Sequence, residues 1–304
     1  MVSSFEKKVI KELESFFDTK MVKMVMPRQG MGSLVFSIVN REGKKFIVKT
    51  SSDIENDIFA YKLIKSNNSE IPVPEIFTSF VCDDKTFLVM EKIEALMLDD
   101  VQDKNKGAYI DSMLENLRRI HEIKSERAGF VDGSFSDKSW KDNLLFKYSG
   151  SHPWFDWRNI SERKGVDGVF LRDAIVRVSN KIEDMALPDK NYSLLHTDFN
   201  QRNLFVDPKS CRIVSIIDWS EAAFGDPLYD FARVRMFIRH FNLGEIVLKK
   251  YYSLLDLSEE EEAREDLYFI SQVIDYIAWY SESANDFNFG RLKLHQKILR
   301  ECKW

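Results

Sequence analysis

The chain has 304 residues, 44% of them hydrophobic and 13% aromatic, enough for a sizeable core in one large domain or two modest ones. Its net charge of -5, within a charged fraction of 31%, argues against nucleic acid or an anionic membrane as the main partner, because both want a basic face. Three scattered cysteines (Cys82, Cys211 and Cys302) argue against a disulfide framework or a Cys-rich zinc site and fit a reducing cytoplasm, and neither a signal peptide over Met1–Lys11 nor a membrane-spanning apolar run is expected.

In chain order, apolar residues from Met21 to Val39 alternate loosely around Gly30-Met31-Gly32-Ser33, which predicts two strands joined by a turn. Lys45 to Lys49 continues as a third strand. Glu55 to Ser66 carries Ile58, Tyr61, Leu63 and Ile64 near a helical period, and Ile71-Pro72-Val73-Pro74 then stops any helix, because proline lacks the amide donor and restricts its predecessor. Phe77 to Val81 and Thr86 to Met90 predict two more strands. The chain changes character near Glu91 to Glu94, so residues 1–92 form one expected lobe and residues 93–304 a second. In the second, Tyr109 to Ile123 has Ile110, Met113, Leu114, Leu117 and Ile120 on one stripe, and Phe170 to Met185 has a similar one. Short strands return at Leu194 to His196, Leu204 to Val206 and Ile213 to Ile217. The remainder reads as helix, with Ser258 and Glu261 set as a capping box.

The segment from Leu195 to Arg235 carries the chemistry. Asp198 lies in a short loop after a strand, Asn203 follows just before another strand, and Asp218 ends the apolar run Ile213 to Ile217. Two carboxylates and an amide at such places make an oxygen-rich pocket of the kind Mg²⁺ prefers, with phosphate and water completing the shell. Phosphoryl transfer needs positioning and charge neutralisation more than covalent help, and a carboxylate near the hydroxyl can take its proton. Any one of these residues alone is an ordinary turn or cap residue; their order together with His196, and with Gly225-Asp226-Pro227 leading into a helix, is what raises the odds. On the other side, Gly30, Gly32 and Ser33 fit a turn over phosphates or, equally, a plain hairpin turn. Lys49 could point inward to phosphates or be a solvated strand end. Glu55 could orient it by an ion pair or be an acid favoured by the helix dipole, with Asp57 as a competitor two residues on.

The pattern H-x-D-x-x-x-x-N, then I-D-W, then G-D-P-x-x-D resembles the aminoglycoside phosphotransferases and their choline-kinase relatives. IDWSEAAFGDPLYD is similar to the metal-site segment of the hygromycin-type members, and the similarity extends through DIENDIFAYKLIKSNNSEIPVPEIF and more faintly through ERAGFVDGSF and the C-terminal helices. The resemblance implies an α+β, bilobal, protein-kinase-like fold: an N-terminal antiparallel β lobe with one helix, which binds nucleotide, and a larger, mostly helical C-terminal lobe. It implies that Asp198 is the catalytic base and that Asn203 and Asp218 hold Mg²⁺. His196 then shapes the catalytic loop, Asp226 ties that loop down, and Lys49 pairs with Glu55. Phe87 to Met90 followed by Glu91-Lys92-Ile93 resembles the inter-lobe hinge, whose Glu91 and Ile93 backbone groups would meet the nucleobase. Arg202 is assigned no role.

The activity implied is O-phosphotransfer from ATP or GTP to a hydroxyl of a cationic antibiotic of the hygromycin type, by a monomer or weak dimer in the cytoplasm. A metabolic kinase of the same fold, acting on choline, an amino alcohol or a sugar, is the alternative, and a pseudokinase the third reading. A protein kinase is disfavoured, since H-R-D, D-F-G and A-P-E are absent. Candidate acceptor groups are Glu221, Asp230, Asp275 and Glu282, with Trp279, Tyr280, Trp140, Trp154 and Trp157 as flat surfaces. The plainer reading makes the aromatics core, Glu259 to Glu262 a solvated helix start and His121 structural.

Overall fold

A computed structural model describes residues 4–26, 33–67, 70–134, 138–152, 155–282 and 286–302. The first part is a five-stranded, wholly antiparallel sheet built from β1 (Met21–Val25), β2 (Ser33–Asn40), β3 (Lys45–Ser51), β4 (Ile76–Cys82) and β5 (Lys85–Glu91), in the order β1-β2-β3-β5-β4. Side chains alternate across a strand, so the sheet feeds two cores. Phe36, Ile38, Phe46, Val48, Phe87 and Val89 pack on one face with Val9 and Leu13 of α1 (Ser4–Phe17). Ile47, Leu88 and Met90 face the other way, toward Ile54, Ile58, Tyr61 and Ile64 of α2 (Ile54–Asn67). The sheet therefore carries two helices where the sequence predicted one. Among the described side chains of α1, only Val9 and Leu13 are fully buried, a stripe too narrow to stand out from its charged neighbours.

The rest is mainly helical: α3 (Ile110–His121), α4 (Trp140–Tyr148), α5 (Trp157–Glu162), α6 (Gly168–Asp184), α7 (Leu228–His240), α8 (Glu245–Leu255), α9 (Glu259–Ser281) and α10 (Asp286–Glu301). The predicted stripe of α3 is fully buried from Ile110 to Ile120, and Ser258 and Glu261 form the predicted capping box of α9. A second box, Ser139 with Asp142, opens α4, which the sequence reading passed over. Among the described residues no helix is long and apolar enough to cross a membrane.

Two small sheets sit among these helices and place the chemistry-bearing loops. One has β6 (Leu96–Met97), β10 (Leu204–Asp207) and β11 (Arg212–Ile216), in the order β11-β10-β6. The other has β7 (Lys124–Ser125), β8 (Gly129–Phe130), β9 (Tyr192–Leu195) and β12 (Ala223–Gly225), in the order β7-β9-β12-β8. The loop from His196 to Asn203 runs from β9 in one sheet to β10 in the other. The segment from Ile217 to Ala222 makes the reverse crossing, from β11 to β12. Gly225 is required at its place: a Cβ there would lie 2.6 Å from the Trp140 ring and 2.8 Å from Leu195.

Under the C-terminal helices lies a pair of neutral histidines. His295 is fully buried, and its Nδ1 is 2.7 Å from the Arg291 carbonyl, so it donates there and its Nε2 accepts from His240 Nδ1 at 3.3 Å. Tyr280 stacks on both rings, while Tyr276 meets His240 edge-on and lies tilted against His295. Burial, then the positive charge of Arg291 and the neighbouring His295, pushes His240 down to about 2. Burial also pushes His295 down to about 4, with the Arg291 carbonyl opposing. Both rings are neutral when folded and protonate near 6.5 when unfolded. Their contribution is therefore intact above pH 6.5 and is lost as pH falls toward 4, at up to about 1.4 kcal/mol per pH unit for each ring. Thermal melts across pH 4 to 7 are expected to show this slope, and His240→Phe should roughly halve it; an unchanged slope would exclude the pair as its source.

Candidate active site

The loop bearing Asp198 is fixed from α7. The fully buried Asp230 carboxylate accepts the His196 backbone N–H on Oδ2 at 2.8 Å and the Thr197 N–H on Oδ1 at 2.9 Å. His121 Nε2 approaches the same carboxylate at 3.3 Å, the structural place expected for it. One turn along α7, Arg233 Nε donates to the Thr197 carbonyl at 2.8 Å. Thr197 is held at φ 62, a region costly for a β-branched residue, so these bonds over-determine a conformation the peptide would not choose alone. His196 is buried with Nε2 3.0 Å from the Ile217 carbonyl, and its ring lies on Trp219 at 4.5 Å between centroids. It joins the two crossing loops, as a loop-shaping residue would.

Asp198 follows. Its Oδ2 and its backbone carbonyl each accept from Asn203 Nδ2 at 3.0 Å. The amide nitrogen of Asn203 is thereby committed, and Oδ1 is the atom left for a ligand. The Asn203 carbonyl accepts the Ile217 N–H at 2.9 Å, which brings Asn203 beside the strand end that carries Asp218.

Asp218 sits at φ 64 and accepts Lys49 Nζ at 2.6 Å and Ser220 Oγ at 3.0 Å on Oδ1. Burial alone would raise this carboxyl, but the Lys49 charge and hydrogen bond, with Ser220, bring it below its ordinary value. Lys49, 6% exposed, lies on the α2 face of β3, and Asp57 and Asp218 outweigh its burial to hold it protonated. Its second partner is Asp57 Oδ2 at 2.7 Å, while Asp57 Oδ1 accepts the Trp219 N–H at 2.8 Å. The expected Glu55 partner is a correction: Glu55 is exposed and accepts from Thr86 Oγ1 at 2.8 Å. Two residues along a helix turn a side chain by about 200°, so Glu55 and Asp57 cannot both face β3. The neighbours of Asp57 work with it. Asn56 Nδ2 donates to the Ser220 and Ala222 carbonyls at 2.9 Å each, its Oδ1 accepts the Asp132 N–H at 3.0 Å, and Tyr61 OH accepts the Asp218 N–H at 3.3 Å.

The nucleotide-side candidates divide. Gly30 and Gly32 lie outside the described residues, and Ser33 opens β2 opposite Ser51. Glu91 ends β5 with its backbone N–H donated to the Glu75 carbonyl at 2.8 Å, so that donor is already engaged and cannot serve a base. Ile93, half-buried, lies in the stretch between β5 and β6.

On the acceptor side, Asp230 is buried under the loop and unavailable. Asp275 pairs with Lys147 at 2.7 Å, and the exposed Glu282 lies 4.0 Å from Arg163. Glu221 remains accessible to solvent yet is crowded by the cleft. Burial there, then the charge of Asp198, pushes its carboxyl up to about 7, with Arg233 opposing. Trp140 is core and donates to Tyr268 OH at 3.0 Å, Trp157 donates to the Tyr148 carbonyl at 3.1 Å, and Trp154 lies outside the described residues. Tyr280 belongs to the histidine stack, whereas Trp279, expected as core, is 41% exposed. Asp226 does not tie down the catalytic loop. It accepts Leu228 N–H at 3.1 Å and Tyr268 OH at 3.0 Å and forms an ion pair with Arg264, Nε at 3.1 Å, binding α7 to α9.

The sequence reading missed Asn56, Arg233 and the anchoring role of Asp230. Among the described residues no cluster of three or more His, Cys, Asp or Glu could hold a metal. Asn203 and Asp218 supply two hard oxygens, which suits an ion that draws its other ligands from phosphate and water.

Residues 32–264 match the model of the phosphotransferase enzyme family, APH. Hygromycin-B 4-O-kinase of Escherichia coli is 23% identical over 243 residues, covering 76% of this chain and 66% of that protein. Acyl-CoA dehydrogenase family member 11 of Rattus norvegicus is 40% identical over 192 residues, 60% of this chain but only 23% of that protein. The chain thus matches less than two thirds of the length of either relative. Among solved structures, aminoglycoside phosphotransferase APH(4)-Ia superposes with a TM-score of 0.73 at 19% identity, covering 98% of this chain and 99% of that one. A thermostable mutant of it, in a ternary complex with AMP-PNP and hygromycin B, gives 0.72 at 19% identity over 97% of both chains. These likenesses show the kinase-like fold, an antiparallel sheet lobe and a helical lobe.

Removing a charged hydrogen-bond partner at a site like Lys49 costs about tenfold or more in affinity or rate. Asp57→Ala is therefore expected to lower kcat/KM for the nucleotide by about tenfold or more, with Glu55→Ala within about twofold of the parent. Steady-state kinetics on the two variants checks this, and the reverse order would restore Glu55.

Proposed function

The chain belongs to the phosphotransferase enzyme family, and from that premise we propose that it moves the γ-phosphoryl group of ATP or GTP to a hydroxyl of a cationic, aminoglycoside-type acceptor. A hygromycin-like antibiotic is the acceptor we favour, with resistance as the consequence. The observation that carries the reading is the Asp198–Asn203 pair, hydrogen-bonded twice and set beside Asp218, whose carboxylate is held by Lys49, itself paired with Asp57.

In this reading Lys49 fixes the α- and β-phosphates, and Asp57 keeps the lysine on the inner face of the sheet. Asn203 Oδ1 and the Asp218 carboxylate would hold Mg²⁺, which supplies charge neutralisation across the phosphates when bound. Asp198 orients the acceptor hydroxyl and takes its proton as the oxygen attacks the γ-phosphorus. The bond from that phosphorus to the bridging oxygen breaks, and the nucleoside diphosphate leaves. Asn203 Nδ2 keeps the Asp198 carboxylate pointed at the acceptor, and the Asp230 anchor keeps the whole loop from moving as charge shifts.

One observation favours a smaller acceptor, such as choline, an amino alcohol or a sugar. Lys147 neutralises Asp275, and Arg233 lies close enough to Asp198 to feel its charge, so the cleft is less acidic than its carboxylates alone would make it. A coupled nucleotide-turnover assay across an aminoglycoside panel that includes hygromycin B, with choline, ethanolamine and sugars beside it, separates the two acceptor classes. Asp198→Ala is expected to lower kcat by about 10²–10⁴-fold on the best acceptor while nucleotide affinity stays within a few-fold. Full activity in that variant would remove Asp198 as the base.

A further inference from the structure

Arg233 is only 8% exposed, yet a single one of its nitrogens is engaged. Nε donates to the Thr197 carbonyl at 2.8 Å. Neither Nη has a hydrogen-bond or ion-pair partner among the described residues, and neither is among the polar atoms sealed from solvent without one. A guanidinium carries its donors in a planar fork, so the two-pronged end of this one remains for something else. The loop itself asks little more of it, since Asp230 already holds the His196 and Thr197 amides. Asp275, the neighbour of Tyr276 in sequence, does not close the pair either, because Lys147 takes it at 2.7 Å.

Two tyrosines stand beside the fork. The guanidinium carbon lies 5.9 Å from the centroid of the half-buried Tyr276 ring of α9. Tyr229 is one turn before Arg233 on the same face of α7, with its ring edge-on to Trp140 at 5.5 Å. Neither phenol hydroxyl makes a hydrogen bond among the described residues, and neither is sealed from solvent. The placement relative to Asp198 follows from the backbone: the Thr197 carbonyl that Nε grips belongs to the peptide bond entering Asp198. A donor fork therefore adjoins a carboxylate that accepts a hydroxyl proton. Oxygens on two adjacent carbons satisfy both, one hydroxyl turned to the carboxylate and its neighbour accepting from the fork.

We propose that Arg233, with Tyr276 and Tyr229, holds an oxygen group carried by the carbon next to the hydroxyl that Asp198 deprotonates. This rests on the phosphotransfer reading above and narrows its acceptor. The acceptor is a polyol, such as a sugar or cyclitol ring, in which a hydroxyl or carboxylate flanks the reacting hydroxyl and any ammonium groups lie farther off. An ammonium on the flanking carbon would face a buried guanidinium of like charge and leave its fork unfilled, so simple amino alcohols are rejected. The bond to the flanking oxygen is made equally before and during transfer, so its loss shows in acceptor KM more than in kcat.

The experiment uses the full chain with Arg233→Lys, which keeps a donor for the Thr197 carbonyl but removes the fork, and with Tyr276→Phe, which removes one hydroxyl and keeps the ring. Steady-state kinetics compare a matched set of ring acceptors: vicinal cyclohexanediol, vicinal hydroxycyclohexane carboxylate, vicinal aminocyclohexanol and cyclohexanol, with hygromycin B as a large acceptor. In the parent, kcat/KM is expected to be about tenfold or more higher for the diol or the hydroxy acid than for the amino alcohol and cyclohexanol. A leading diol identifies a neutral flanking oxygen and a leading hydroxy acid an anionic one, and both uphold the subsite. Arg233→Lys should raise the KM of the best acceptor by about tenfold or more, and Tyr276→Phe by several-fold, with nucleotide KM and melting temperature unchanged. A parent that phosphorylates nothing in the set, hygromycin B included, overturns the phosphotransfer reading and this inference with it. An active parent that prefers the amino alcohol, or whose two variants keep its acceptor KM, overturns the inference alone. Loss of nucleotide affinity and melting temperature in Arg233→Lys, with Tyr276→Phe like the parent, overturns it in favour of a purely structural role in the loop.

Discussion

The arrangement depends on one buried carboxylate. Asp57 is completely removed from solvent and accepts with both oxygens, one from Lys49 and one from the Trp219 backbone. Three stretches of chain meet on it: the inner face of β3, the first turn of α2, and the end of the run that delivers Asp218. A buried charge with a partner removed costs several kcal/mol, so none of the three can leave alone. The same network is weak evidence for overall stability, because well-packed apolar residues could serve that purpose as well. Its effect is to place one lysine and one aspartate within hydrogen-bond reach of each other at a point where a charged ligand can be met.

Asp230 repeats the device beneath the loop that carries Asp198. It too is fully buried and accepts two backbone amides, those of His196 and Thr197. Both anchors stand next to a non-glycine residue with positive φ, Thr197 at 62 and Asp218 at 64. Each such residue stores about 1–3 kcal/mol that the surrounding bonds must hold in place. The two crossing loops are thus locked by the same means: a side chain from a long helix satisfies the amides that an irregular backbone would leave bare.

Much of this was legible in the residues, and the gaps have physical reasons. Alternation located the strands of the large sheet, and the i, i+3, i+4 stripe located α3 and α6, because those patterns span enough residues to exceed noise. Strands of two or three residues such as β7, β8 and β12 carry no pattern at all and exist only because a neighbour pairs with them. The spacing of Asp198, Asn203 and Asp218 brought together residues that the fold does place side by side. The partner of Lys49 was read two residues early, yet the phase of α2 held the answer: Asp57 lies three residues after Ile54 and four before Tyr61, on the buried stripe, whereas Glu55 lies off it. Asp226 and Asp230 could not be told apart in GDPLYD, since both are buried acids near the start of α7. Only the tertiary contact decides which meets the loop and which meets α9.

Helix α2 has a mechanical consequence. Five hydrogen bonds from Asn56, Asp57 and Tyr61 run to the segment from Asp218 to Ala222 and to Asp132. Although it lies between strands of the large sheet in sequence, α2 is bolted to the opposite lobe. Swinging it outward would break all five at once and strand a charge in the interior. This helix therefore moves with the segment that carries Asp218 rather than with the sheet it interrupts in sequence.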